Sequence, residues 1–147
     1  MRPLRIAALA VLIAGVLIAL WLAAHAPWID QDSYYAAVKA QQGLPFAAVT
    51  AVVGLVVFLA SGTRRSRGKW AAAGLWLTLL GASLVTGSIV GELFGPAGHF
   101  LRVSDYADTY LTVVRTMMLI GAAGGLALIA GVALWLLSYR LDRVRGE

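Results

Sequence analysis

Four long apolar stretches dominate the chain, and polar segments separate them. The stretches cover residues 4–24, 44–60, 70–90 and 112–137. A helix needs about 20 mostly apolar residues to cross the hydrocarbon of a bilayer, and each stretch is near or above that length. The pattern therefore predicts an all-α fold, a bundle of four transmembrane helices that forms a single integral membrane domain over residues 1–147.

The first stretch ends in Ala24-His25-Ala26, which is similar to a signal-peptidase site. The apolar region of a cleaved secretory signal is about 7–15 residues long, and the stretch over residues 4–24 is longer. We therefore expect an uncleaved first span.

The segment between the first two spans contains a helix-start signal. Asp30 and Asp32 precede the run 33–40, which reads as a short capped helix with two tyrosines. Tyrosines are common at the headgroup level of a bilayer. Gly43 and Pro45 are then expected to turn the chain into the second span. We therefore predict a short helix lying in the outer interface.

The segment before the fourth span contains a second helix-start signal. Ser104 is a candidate cap, and Asp105 and Asp108 would occupy the first helical turn, where the helix dipole favours negative charge. We expect this helix to continue without a break into the fourth span.

Basic residues lie mainly beside one set of span ends. Nine of the twelve are Arg2, Arg5, Arg64, Arg65, Arg67, Lys69, Arg140, Arg143 and Arg145. The other three are Lys39, Arg102 and Arg115. Because positive charge flanking a span stays in the cytoplasm, the distribution predicts a multi-pass protein of the inner or plasma membrane with both termini cytoplasmic.

Composition excludes several classes of protein. Apolar residues make up 61% of the chain, charged residues make up 13%, and the mean hydropathy is +0.82, so a soluble domain is not expected. The net charge of +5 lies mostly at span ends, which favours the lipid bilayer over nucleic acid as the partner. The chain has no cysteine, which excludes thiol chemistry. The span interiors hold hydroxyls but no acid, which argues against a proton-coupled transporter acting alone.

Small residues recur along the third and fourth spans. Gly74, Gly81 and Ser88 are spaced by seven, and Gly121 with Gly125 forms the small-xxx-small pattern that lets helix backbones approach closely. One interpretation is packing of these two spans within the chain. The alternative is contact with a protein partner or a second copy of the chain.

Three polar residues reach similar heights when depth is counted along the spans. His25 lies about 20 residues after the start of span one, Glu92 about as far from Trp70, and Arg115 about as far back from Tyr139, at about 1.5 Å per residue. All three lie at the outer edge of the hydrocarbon. A charged group there is costly unless paired or hydrated, which makes it a site hypothesis by default.

Other polar side chains fit the same outer site. The additional candidate ligand-binding residues are His99, Ser88, Thr86 and Thr116. In this hypothesis Glu92 accepts a proton, Arg115 orients an anionic or carbonyl oxygen, and a histidine donates a proton or serves as a metal ligand. The alternative is purely structural, because Arg115 can extend to the headgroups and Glu92 can face loop water. The ligand spacing predicts no metal site, and the cofactor stays unassigned.

The layout resembles a family of small four-helix integral membrane proteins that includes anthrone oxygenase-like proteins. The resemblance rests on the His25-Ala26-Pro27 segment, on Gln41-Gln42, on the run 86–94 that ends span three, and on the approach from Tyr110 to Arg115. It covers nearly the whole chain. The resemblance implies a four-helix bundle and an oxygenase-type reaction on a hydrophobic aromatic substrate, with His25 and Arg115 nearest the family pattern.

Two functions follow from these patterns. The first is a non-enzymatic accessory or scaffold subunit of a membrane complex. The second is a membrane enzyme or small-molecule binder whose site lies at the outer boundary, around Glu92, Arg115, His25 and His99.

Overall fold

The computed structural model describes residues 2–25, 34–63, 68–94 and 107–145. These residues form α-helices and no strand. The helices are α1 (Arg2–His25), α2 (Tyr34–Ser61), α3 (Lys69–Phe94) and α4 (Ala107–Arg145). The predicted all-α fold is confirmed for the described part of the chain.

Each helix contains a segment that is long and apolar enough to cross a membrane. The segments are Arg2–Ala24, Gly43–Ser61, Lys69–Gly91 and Leu111–Ser138, and each predicted span lies within one of them. The chain is therefore a candidate multi-pass membrane protein with four spans among its described residues.

Helix α2 differs from its prediction, because it passes through Gly43 and Pro45 without ending. The residues from Tyr34 to Gln42 are its first turns and precede the apolar segment. A proline removes one backbone hydrogen bond, but its φ of about −65° is helical. In apolar surroundings, breaking the helix would leave several more backbone groups unpaired, so continuing it costs less than turning.

Helix α4 is long and extends past its apolar segment at both ends. It begins at Ala107 and includes Asp108 in its first turn. Ser104 and Asp105, the predicted cap and its neighbour, lie outside the described residues. The expected unbroken entry into the fourth span is present from Ala107 onward.

The helices form two antiparallel hairpins. Helix α1 packs on α2, and α4 packs on α3. The hairpins meet where α2 contacts α3, with a smaller contact between α1 and α3, whereas α1 and α4 touch only marginally. The architecture is therefore two hairpins joined along one side.

A cluster of apolar side chains joins the hairpins near the end of the bundle where α1 begins. Its buried members are Leu4, Ala8, Val57, Leu75 and Leu79, and Trp135 of α4 packs against it. All four helices thus contribute to this group, which we call the four-helix cluster. At the same end the Arg5 guanidinium lies 4.9 Å from the centre of the Phe58 ring, a cation–π contact between α1 and α2.

Much of the remaining helix surface is apolar and exposed. Leu119 and Leu126 of α4 are each 71% exposed, and Leu20 of α1 is 62% exposed. A soluble protein rarely exposes so continuous an apolar surface. Lipid is the environment that this surface fits.

Candidate functional site

In the first hairpin, glycines bring the backbones of α1 and α2 into contact. A Cβ atom built on Gly15 would lie 2.7 Å from the Ala51 nitrogen, and one built on Gly54 would lie 2.6 Å from the Leu12 nitrogen. Real Cβ atoms do not approach backbone atoms so closely. The two helices can therefore pack at this distance only because both positions lack a side chain.

The second hairpin is held together in the same way. A Cβ on Gly81 would overlap the backbone of Leu128 and lie 2.6 Å from the Gly124 carbonyl oxygen. A Cβ on Gly131 would lie 2.8 Å from the Gly74 carbonyl oxygen. Close approach of helix backbones through small residues is a general mode of packing in membranes, where burial of apolar surface supplies little driving force.

The two hairpins share one packing register. Gly15 of α1 faces Ala47 and Ala51 of α2, and Gly81 of α3 faces Gly124 and Leu128 of α4. Gly81 lies 66 positions after Gly15, whereas Gly124 and Leu128 lie 77 positions after Ala47 and Ala51 respectively. The same two offsets relate another pair of glycines. Gly54 of α2 faces Ala8 and Leu12 of α1, and Gly131 of α4 faces Gly74 and Thr78 of α3. The chain therefore contains a structural repeat in which α3 corresponds to α1 and α4 to α2, although the sequences of the two halves show no clear correspondence.

At two equivalent positions the first hairpin has alanine where the second has glycine. Ala8 and Ala47 in the first hairpin correspond to Gly74 and Gly124 in the second. Both alanines are fully buried. The additional glycines remove two methyl groups from the contact between α3 and α4, which lets this pair pack more extensively.

The structure divides the predicted packing residues into two groups. Gly74 and Gly81 lie against the backbone of α4. Gly121 lies beside Ser88, since a Cβ built on Gly121 would be 2.8 Å from the Ser88 hydroxyl oxygen. Gly125 does not take part, because a Cβ there would meet no atom within 4 Å. The residue that packs in its place is Gly124, which the GxxxG pattern did not single out.

One pair of hydroxyls connects the two hairpins. Thr50 of α2 and Thr86 of α3 are buried and hydrogen-bonded to each other. The Thr50 hydroxyl also reaches the Ala82 carbonyl oxygen at 3.3 Å, and the Thr86 hydroxyl reaches the Phe46 carbonyl oxygen at 3.5 Å. Each hydroxyl therefore has a backbone acceptor on the neighbouring helix. In the sequence Thr86 is a candidate ligand-binding residue, but nothing there indicates that it faces Thr50.

We predict that Thr50→Val and Thr86→Val are coupled. Each single change leaves the other hydroxyl with its backbone acceptor, so each should lower the free energy of unfolding by only about 0.5–1.5 kcal/mol. The double variant should cost less than the sum of the singles, because the second change removes no further bond between the pair. Unfolding in mixed micelles measures all three variants. Thr116→Val is the control, since that hydroxyl donates to the Thr112 carbonyl oxygen of its own helix. Strictly additive single effects would contradict the prediction.

The described members of the predicted outer site do not come together. Thr86 faces α2, whereas Ser88 donates to the Val85 carbonyl oxygen and contacts Gly121 of α4. Arg115 and Thr116 are both exposed on α4. Of the candidate ligand-binding residues, Thr86 therefore faces α2, Ser88 faces α4, and Thr116 lies on the exposed surface of α4.

The other predicted site residues lie at the limits of the described structure. His25 is the last residue of α1, and Glu92 lies in the last turn of α3. The side chains of both are outside the described part of the structure, and His99 lies wholly outside it. The convergence of His25, Glu92 and His99 with Arg115 remains a prediction.

Comparisons of the chain with protein-family models, with curated proteins and with solved structures found no match. The resemblance to anthrone oxygenase-like proteins thus remains an expectation from the residues that suggested it.

Proposed function

We propose that this chain is a non-enzymatic accessory or scaffold subunit of a membrane complex. It is a multi-pass protein of the inner or plasma membrane with both termini in the cytoplasm. Its task is to present a rigid helical frame to a protein partner within the bilayer.

Contact between helix backbones in both hairpins is the observation that supports this proposal. Gly15, Gly54, Gly81 and Gly131 each lie against the backbone of the opposite helix. The buried hydroxyls are bonded to backbone carbonyls or to each other, as in the pair Thr50 and Thr86. The described spans are thus built for tight packing, which suits a frame whose outer faces do the recognising.

The distribution of charge supports the proposed orientation. Arg2, Arg5, Lys69 and Arg140 are exposed, and the order of the helices places all of them at the end where α1 begins. Positive residues at span ends stay on the cytoplasmic side. We place the first turns of α2, from Tyr34 to Gln42, in the outer interface, because they precede its apolar segment.

The open small residues are the places where a partner could approach the frame closely. Gly87 of α3 and Gly125 of α4 would each accept a Cβ without meeting any atom within 4 Å. The glycines of the hairpin contacts are already in use inside the chain. A partner that relies on close approach therefore has Gly87 and Gly125 available to it, but not Gly81 or Gly131.

The proposal is tested by gentle solubilisation of the tagged full-length chain from its native membrane, followed by mass analysis of everything that co-purifies. We expect a stoichiometric chain of different sequence, and we expect its recovery to fall in Gly87→Leu or Gly125→Leu. Glu92→Gln and Arg115→Gln should leave recovery unchanged. A chain purified alone with a tightly held organic molecule or metal, lost in Glu92→Gln or Arg115→Gln, would instead support a membrane enzyme or binder.

A further inference from the structure

We propose that copies of this chain associate head to tail, with α1 of one copy packed on α4 of the next in the geometry with which α3 packs on α2 inside each chain. This inference goes beyond the proposed function, which concerns a partner of different sequence. It rests on the packing register that the two hairpins share.

The repeat defines an open counterpart of the junction between the hairpins. Because α1 corresponds to α3 and α4 to α2, the counterpart of the contact between α2 and α3 is a contact between α4 and α1. Within one chain that contact is almost absent. Each chain therefore has one filled junction, between α2 and α3. One face of α1 and one face of α4 are the unpartnered halves of a second junction.

The unpartnered half on α1 is a face of exposed aliphatic side chains. Its members are Leu9, Ile13, Val16 and Leu20, which lie 66 positions before Leu75, Leu79, Ala82 and Thr86 of the filled junction. They are 43%, 50%, 40% and 62% exposed respectively. Their counterparts Leu75 and Leu79 are 1% and 3% exposed. The same positions are thus covered in the second hairpin and bare in the first.

The unpartnered half on α4 has small side chains at its centre. Ala123, Ala127 and Ala130 lie 77 positions after Phe46, Thr50 and Val53 of the filled junction, and all three alanines are exposed or half-buried. Small residues on one helix leave room for larger aliphatic side chains of the other, which improves packing in a membrane. The α1 face supplies those larger side chains.

At the centre of the proposed junction between α4 and α1, the facing side chains match in polarity as well as in size. In the filled junction, Thr50 and Thr86 satisfy each other's hydroxyls. Their counterparts are Ala127 and Leu20, so both hydroxyls are replaced by apolar groups. Packing α4 on the neighbouring α1 would therefore leave no unpaired hydroxyl at this position.

Such a contact joins two different faces, so each added copy leaves one free α1 face and one free α4 face. Heterologous contacts of this kind close only as a ring or continue as an open chain. The smallest closed assembly would be a ring of two copies, containing four hairpins joined by four junctions of one type.

The absence of cysteine from the natural chain allows a direct cross-linking test. Two full-length forms with tags of different size, one carrying Leu20→Cys and the other Ala127→Cys, are produced in the same membrane and oxidised. We expect a disulfide between the two forms, seen as a band near twice the 15.5 kDa mass of one chain. Thr50→Cys with Thr86→Cys in one chain is the positive control, because these side chains are in contact.

A matched negative control separates docking from random collision. Ile129 is 67% exposed and lies two residues from Ala127 on a different face of α4. Leu20→Cys with Ile129→Cys should give little or no dimer, because disulfides require Cα atoms within about 7 Å. Equal yields from the two pairs, or no dimer from either while the positive control forms, would overturn the proposal.

A single chain that carries both Leu20→Cys and Ala127→Cys tests whether α1 and α4 meet within one copy instead. A cross-linked dimer or a ladder of cross-linked chains supports head-to-tail association, whereas a single chain with an internal disulfide would overturn it in favour of α1 and α4 meeting within one copy. Neither result depends on recovery of a partner of different sequence, so failure here and failure of the proposed function are separate outcomes.

Discussion

Replacing Gly81 by alanine is expected to lower the free energy of unfolding by about 1–3 kcal/mol, the range for overpacking a filled interior. The added Cβ would lie 2.6 Å from the Gly124 carbonyl oxygen and would overlap the backbone of Leu128. Backbone atoms inside a helix cannot rotate away as a side chain can. Helices α3 and α4 would have to separate, which would weaken the contact along its whole length.

Gly87→Ala is the matched control because it makes the same chemical change on the same helix. A Cβ at Gly87 would meet nothing within 4 Å. Alanine favours the helix over glycine by about 1 kcal/mol in water, so this variant should be neutral or slightly stabilising. Only Gly81→Ala is thus expected to destabilise the protein. Unfolding of both variants in mixed micelles measures the difference, and equal stabilities would mean that α3 and α4 are not held by backbone contact.

The positions of the long apolar helical segments could be predicted from sequence because they depend on length and composition alone. Any apolar run of sufficient length can cross a bilayer, and residues 4–24 and 70–90 lie inside apolar segments of α1 and α3. The end of a helix depends on finer balances. Pro45 was expected to mark a turn, yet α2 passes through it, because in apolar surroundings the lost hydrogen bond costs less than breaking the helix.

The glycines that pack between α3 and α4 could be predicted only where the sequence offers a single spacing of small residues. Gly74 and Gly81 do contact α4. In α4 the adjacent glycines offer several spacings, and the small-xxx-small pattern selected Gly125 where the structure uses Gly124. Neighbouring residues lie about 100° apart around a helix, so a shift of one position points to another face. Only the partner helix decides which face is buried.

The outer site shows the same limit for polar residues. Counting along a span gives the height of a residue but not the direction in which it points. Thr86 and Ser88 have similar heights, yet two positions correspond to about 200° around the helix, and they face α2 and α4 respectively. A site predicted from height alone therefore collects residues that face different neighbours.

Replacing Leu75 by alanine is expected to lower the free energy of unfolding by about 2–4 kcal/mol, within the range for removing a buried leucine side chain. Leu75 is 1% exposed and belongs to the four-helix cluster, together with side chains of α1 and α2. In a bilayer the loss comes mainly from packing contacts, because lipid tails are as apolar as the protein interior. Leu80→Ala on the same helix is the control, since Leu80 is 54% exposed and should change stability by less than about 0.5 kcal/mol.

The same pair of variants tests whether the four-helix cluster joins the hairpins. A protease site inserted between residues 63 and 68 allows the chain to be cut after it has folded in the membrane. A tag on the second hairpin should then recover the first hairpin from the cut parent and from Leu80→Ala, but less of it from Leu75→Ala. Gly81→Ala should lower stability without lowering this recovery, because its clash lies inside the second hairpin. Undiminished recovery from Leu75→Ala would mean that the hydroxyl pair of Thr50 and Thr86 and the rest of the contact between α2 and α3 suffice to hold the hairpins together.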